Sequence, residues 1–228
     1  MRKIVEMRAG DKRSFETGFT LLEMAIVLII LGLTLASFVL PLIKQKNMSA
    51  EYETRRRISI IKEALLGYVV LNKSLPCPAN PYLATTGFNN AGKIDSTYCD
   101  KVGVVPWTDL GLLETDGWGR RFTYKVDSNF VTSIALTSAA DITINDGSTP
   151  ISVKIPVVIV SHGENGYGAY TSEGFQFEKE KVSILESNNT NNDMSFTSMA
   201  QSPSFDDIVD WLSPNVIFNR MVAAGKLP

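Results

Sequence analysis

Apolar and polar positions are spread unevenly along this chain of 228 residues. Met24 to Ile43 is a run of twenty residues without a charge. A helix of that length rises ~30 Å, the thickness of a bilayer's hydrocarbon core. The run is longer than the apolar part of a secretory signal and lacks the polar face of a buried helix, so residues 19–43 are expected to form a transmembrane helix. Beyond it Ile58, Ile61, Leu65, Tyr68 and Val69 recur at spacings of three and four. That periodicity predicts a helix continuing over 44–75 with one apolar stripe, which needs a sheet to cover it. Pro76 and Pro78, on either side of Cys77, end the helix.

Residues 76–228 read as a globular head rich in strands. Residues 79–117 carry turn signals at Asn80-Pro81, Ala91-Gly92 and Asp116-Gly117. Within them Val104 to Leu112 is too apolar to hang free, and Trp107 and Leu110 are expected to anchor it in the core. From Trp118 the period changes to two, with Phe122, Tyr124 and Val126, then Phe130 to Thr137, then Ile151 to Val160, separated by turns at Asn129 and Asp146-Gly147. These predict an antiparallel sheet. Ser187 to Ser204, with Asn188-Asn189-Thr190-Asn191-Asn192, reads as a mobile excursion. Ser213-Pro214 opens a short helix with Val216, Ile217, Met221 and Ala224 on its apolar side, and Gly225 ends it.

Charge narrows the function classes. With 22 Lys+Arg against 24 Asp+Glu the net charge is minus 2, so the basic footprint of a dedicated nucleic-acid binder is missing, and no sequence-specific nucleic-acid contact is expected. The 44% hydrophobic content is that of a folded protein. The tail before the apolar run is positive, with Arg2, Lys3, Arg8, Lys12 and Arg13 against Glu6, Asp11 and Glu16. Lys44, Lys46, Arg55, Arg56 and Arg57 follow the run, so the positive-inside rule nearly ties. The three arginines read as a solvated face, or as a contact for anionic headgroups or a neighbouring subunit. Cys77 and Cys99, the only two cysteines, enclose a Gly/Asn/Pro-rich loop. A bond between them would stabilise the fold by ~3 kcal/mol on the chain-entropy model and would place the head in an oxidising compartment. Free or metal-bound thiols are the alternative, although two cysteines and one histidine close no zinc site without carboxylates.

Glu23 is the anomaly at the start of the apolar run, because a carboxylate there needs a partner and the tail before it supplies none nearby. Pro41 lacks an N–H and leaves the carbonyl of Ser37 without its helical donor, permitting a bend. The junction Gly18-Phe19-Thr20-Leu21-Leu22-Glu23, followed by the apolar run, resembles the class III signal of type IV pilins and of the pseudopilins of type II secretion systems. The resemblance covers the first quarter of the chain. It implies residues 1–18 as a leader cut after Gly18 by a prepilin peptidase, N-methylation of Phe19, and assembly through Glu23. Asp116-Gly117-Trp118-Gly119 resembles the D-x-W-G that opens the sheet of the major pseudopilin, independently of the N-terminal motif.

Ser161-His162-Gly163-Glu164-Asn165-Gly166-Tyr167-Gly168 follows the most hydrophobic strand and admits several readings. A phosphate loop would want a following helix and a lysine, and a hydrolase would want a partner for Ser161 or His162. A tight surface loop is the plain alternative. The resemblance adds another: major pseudopilins hold calcium with a comparable loop and a downstream D-I segment. That implies Glu164 and Asn165 facing Asp206 and Asp207 as oxygen donors, with Glu164-Asn165 departing from the family's usual Asp.

The expected fold is thus α+β and pilin-like, a long N-terminal helix with a membrane-spanning first half packed on an antiparallel sheet with a disulfide-stapled loop. The expected function is that of a filament subunit at the bacterial inner membrane, not an enzyme, with its head in the periplasm. Its partners would be the prepilin peptidase, other pilin-like subunits and an inner-membrane assembly platform, with no cofactor beyond calcium. Two alternatives stay open: a monomeric membrane-anchored periplasmic domain that binds a ligand, and a membrane-tethered hydrolase.

Overall fold

The computed structural model describes residues 18–87, 90–178 and 181–227, without the side chains of 36–43. The expected leader before Gly18 and the side chain of Pro41 lie outside the described residues. The chain divides into two compact units, Met1–Gln45 and Lys46–Pro228. Helix α1 spans Leu21–Asn72 and so contributes to both. It ends where Lys73 takes a left-handed φ of 58°, ahead of Pro76.

The pilin-like fold with a membrane-spanning first half is overturned. Among the described residues no helix is long and apolar enough to cross a membrane. The described apolar side chains at the start of α1 run from Leu21 to Leu35, a rise of about 22 Å at ~1.5 Å per residue, short of the ~30 Å of a hydrocarbon core. The class stands as α+β, with antiparallel pairing and a Cys77–Cys99 disulfide whose Cα atoms are 4.5 Å apart. The strands form two sheets where one was expected.

In the larger unit the first sheet has the order β1 (Gly103–Val104), β2 (Thr123–Val126), β5 (Val157–Ser161), β7 (Ile208–Leu212), antiparallel throughout. The second has the order β4 (Pro150–Ile155), β3 (Ile142–Asn145), β6 (Ser195–Thr197), and its β3–β6 pair is parallel. The apolar stretch 151–160, expected as a single strand, is divided at Pro156, which has no N–H for a ladder. Lys154 just before it has a left-handed φ of 57°, and the chain passes from the exposed β4 to the fully buried β5.

The stripe of α1 meets one face of the first sheet. Ile58, Ile61, Leu65 and Val69 join Phe122, Tyr124, Val126, Val157 and Ile159 in the main core, with Ile217 and Met221 of α3 (Pro214–Ala223). Val158 and Val160, pointing the other way, pack with Ile142, Ile144, Ile155 and Phe196 of the second sheet. The order is therefore helix, sheet, sheet. β2 and β5 have no solvent face, which is why all of β2 is buried where alternation predicted a half-exposed strand.

Two other expectations fail for identifiable reasons. Phe130 to Thr137 is not a strand: Asp127 accepts from Asn129 N–H and Asp141 N–H, and the backbone of Phe130 and Ile134 bonds to Leu75 and Lys73 at the end of α1. Residues 187–204, read as an excursion, contain β6 and a buried Asn189 that exchanges two hydrogen bonds with the backbone of Thr197. Trp107, in the short helix α2 (Trp107–Leu110), is buried as expected, and Leu110 packs against the main core.

The turn Asp116–Gly119 ties the sheet to α1. Gly117 N–H donates to Thr54 Oγ1 at 2.9 Å, and a Cβ on Gly117 would lie 2.1 Å from the Ala50 carbonyl oxygen, so only glycine fits. Arg57, read as part of a solvated face, donates to the carbonyls of Thr115 and Asp116. Leu65→Ala is expected to cost about 2 to 5 kcal/mol in urea unfolding. Leu71→Ala, at a position 79% exposed, is expected to cost no more than about 0.5 kcal/mol. Equal losses would show that α1 does not seat on the sheet through this stripe.

Candidate functional site

At the N-terminal junction Glu23 has a partner after all. Thr20 N–H and Thr20 Oγ1 both donate to Glu23 Oε2, at 2.8 and 2.9 Å, and Glu23 N–H donates back to Thr20 Oγ1 at 3.2 Å. This is a reciprocal capping box at the first turn of α1, legible in the sequence as Thr20-x-x-Glu23. Gly18 and Phe19 precede the helix and are exposed, Phe19 by 82%.

The second site is a cluster of carboxylates at the end of β5. Glu186, Asp206 and Asp207 each offer an oxygen within 4.8 Å of the others. Gly163, at a left-handed φ of 58°, lets the loop after β5 approach closely, since a Cβ there would stand 2.2 Å from the Asp206 carbonyl oxygen. Arg120 secures that loop by donating to the carbonyls of Gly163 and Glu164.

Amide groups meet part of the charge. Asn165 donates to Asp206 from its backbone N–H and from Nδ2, both at 2.7 Å, and Asp206 N–H donates to Glu186 Oε1 at 3.0 Å. Asn189 Nδ2 donates to Asp207 Oδ2 at 2.8 Å. Asp207 Oδ1 is buried without a donor and faces His162 Nδ1, also without a hydrogen bond, at 3.7 Å. Burial, opposed by the Asn165 bond and reinforced by Glu186, pushes the Asp206 carboxyl up to about 6. Burial pushes Asp207 well above the usual carboxylate range. Burial, with the nearby Arg120 charge, brings His162 down to about 3, so its ring is neutral.

Of the four sequence-derived ligands, Asp206 and Asp207 come together and the other two do not act as oxygen donors. Glu164 is exposed and accepts from Asn47 Nδ2. Asn165 turns its Nδ2 to the carboxylates because its Oδ1 accepts from Tyr167 N–H. Glu186 takes their place. No local signal marked it, since it stands just before the stretch read as an excursion. What remains is a set of hard oxygen donors on Glu186, Asp206 and Asp207 with one orphaned buried oxygen, a donor set of the kind that hard cations take.

Ser161 and His162 are separated by strand alternation. Ser161 Oγ donates to Asp116 Oδ2 at 2.6 Å, whereas His162 Nε2 lies 2.8 Å from Thr123 Oγ1 on the opposite face. Both residues are fully buried. Compared with protein-family models, curated proteins and solved structures, the chain matches none.

The cluster links stability to pH in the cation-free protein. Asp206 has a folded pKa of about 6 against an ordinary 3.8, so its contribution is full below about pH 4 and is lost as pH rises through about 6. Asp207 shifts in the same direction. His162, lowered from 6.5 to about 3, acts oppositely: its contribution is full above about pH 6.5 and is lost as pH falls towards 3. Asp206→Asn should therefore gain stability relative to the parent chain as pH rises from about 4 to 6, read from urea midpoints in chelator. A difference that stays constant with pH would show that Asp206 titrates normally.

Proposed function

We propose that this chain is a pilin-like filament subunit, cut after Gly18 by a prepilin peptidase, methylated on Phe19 and assembled with other such subunits through the helix that follows. The observation that carries the reading is the junction itself. A charged leader meets Gly18-Phe19, and beyond it lies an apolar helix whose side chains stand open, Leu21 by 89%, Leu28 by 63% and Leu33 by 69%. An apolar surface of that extent calls for apolar surroundings, and the helices of neighbouring subunits would supply them. The Cys77–Cys99 bond suits an oxidising compartment. We accordingly place the globular unit in the periplasm, working with an assembly platform at the bacterial inner membrane.

In this reading Glu23 has two tasks in succession. It caps α1 in the precursor, and after cleavage its carboxylate meets the new amine of Phe19 on a neighbouring subunit, in apolar surroundings that strengthen the attraction. Glu23→Gln separates the tasks, because a glutamine retains the capping box while losing the charge. In cells that contain the peptidase, the mature chain should begin at methylated Phe19 by mass spectrometry, and Gly18→Leu should retain Met1. Glu23→Gln should be cut and keep a protease-resistant head, yet fail to crosslink into filaments. Filament yield equal to the parent's would overturn the pairing, and an intact Met1 in the parent chain would favour the anchored ligand-binding alternative.

Calcium at Glu186, Asp206 and Asp207 belongs to the same proposal. It would neutralise the carboxylates and brace the loop after β5. At ~100 times its Kd, calcium should raise stability by about 2.7 kcal/mol, or Tm by about 5 to 10 °C. Asp206→Asn should lose most of that rise. Unchanged melting of the parent chain in calcium would remove the ion from the reading.

A further inference from the structure

A cleft of about 420 Å³ is lined in part by Asn189, which donates to Asp207 of the carboxylate cluster, and by Thr123, which pairs with His162. Its size falls within the range of small-molecule sites. Three tyrosines, Tyr82, Tyr98 and Tyr170, line it together with Gln176, Asn192 and Lys101, and among the described residues lining it none carries a carboxylate. We propose that this cleft binds a neutral oligosaccharide.

The aromatic wall is set in place before any ligand arrives. Asn80 Oδ1 accepts from Tyr82 N–H at 3.0 Å and from the Tyr98 hydroxyl at 3.3 Å. Tyr170 packs edge-on to Tyr82 at 5.4 Å between ring centroids, with its hydroxyl donating to that of Tyr82. Behind Tyr82, the fully buried Arg121 donates to the carbonyls of Pro81, Leu83 and Ser172 and pairs with Glu114 at 2.8 Å. Tyr98 stands next to the disulfide-bonded Cys99. Tyr82 is nevertheless 59% exposed. An exposed ring held this firmly forms a contact surface at small entropic cost.

The polar groups select the chemistry. Gln176 Nε2 donates to the Gly168 carbonyl, leaving Oε1 as an acceptor, and Asn192 Oδ1 accepts from Val102 N–H, leaving Nδ2 as a donor. A sugar hydroxyl both donates and accepts, so it uses both. The C–H face of a sugar ring is apolar and suits a tyrosine ring. A phosphorylated ligand would need several cations, but Lys101 is the one cationic side chain among the described residues lining the cleft, and it lies over the Tyr98 ring at 5.5 Å.

The test is calorimetric titration of the full-length chain, in a detergent without a sugar headgroup, with cellotriose, maltotriose, triacetylchitotriose and ADP. At least one trisaccharide should saturate at one site with concentrations up to about 10 mM, enough to detect a Kd of ~1 mM. Tyr82→Ala should weaken that binding about tenfold while lowering the melting temperature by no more than about 5 °C, the share of its ring contact with Tyr170, and Tyr82→Phe, which keeps the ring, should bind within about threefold of the parent. Gln176→Leu provides a second probe, at a half-buried position of the lining, and should also weaken it. No saturation by any trisaccharide would overturn the proposal, as would tighter binding of ADP or binding indifferent to both Tyr82→Ala and Gln176→Leu.

Discussion

The larger unit is organised around strands that have water on neither side. β2 and β5 are covered by α1 on one face and by the second sheet on the other. Any polar group on them therefore needs a partner inside the protein, because a buried polar atom left unpaired costs more than an average hydrogen bond gains. Ser161 finds Asp116 on the helix side, and Thr123 finds His162 on the other. Lys125, also on β2, donates to the Asp100 carbonyl, and burial lowers its pKa. The polar architecture of the head follows from this double coverage.

Asp116 and Arg121 show the constraint acting beyond the strands. Asp116 is buried, with its pKa raised by burial, and accepts from Ser161 Oγ, Trp118 N–H and Arg120 N–H. It thereby joins β5 to the turn that rests on α1. Arg121 is fully buried and lies over the Trp107 ring at 4.7 Å while its donors gather the loops around Tyr82 and Ser172. Removing one member of such a network leaves several groups unpaired at once, which is how a few residues hold together loops without regular structure. Among the described residues two places depart from this: the carboxylate cluster, whose amide donors leave Asp207 Oδ1 and the facing His162 Nδ1 unmatched, and the indole Nε1 of Trp118.

The N-terminal unit obeys the opposite logic. Its described apolar side chains are exposed, and Thr20 and Glu23 form a capping box at the first turn of its helix. A capping box needs only residues three apart and forms without tertiary help. The described apolar side chains along this helix stand exposed, whereas those of β2 and β5 are covered on both faces.

Whatever depends on neighbours along the chain was legible from residue order alone. The stripe from Ile58 to Val69, the end of α1 before Pro76, the hairpin turn at Asp146-Gly147 and the helix opened by Ser213-Pro214 follow from local periodicity and backbone chemistry. The cysteine pair was legible as well, from count and loop composition. Tertiary structure decided what depends on coverage. Alternation could not show that β2 would be buried on both faces, or that Phe130 to Thr137 would spend its hydrogen bonds on the end of α1. The candidate cation site divides the same way: Asp206 and Asp207 were expected from the resemblance of their segment to a family pattern, but Glu186 joins them through a fold in which Asn189 stitches its segment to β6. Asn165 shows why residue type alone was insufficient, since an amide carries a donor and an acceptor, and Tyr167 N–H decided which one faces the carboxylates.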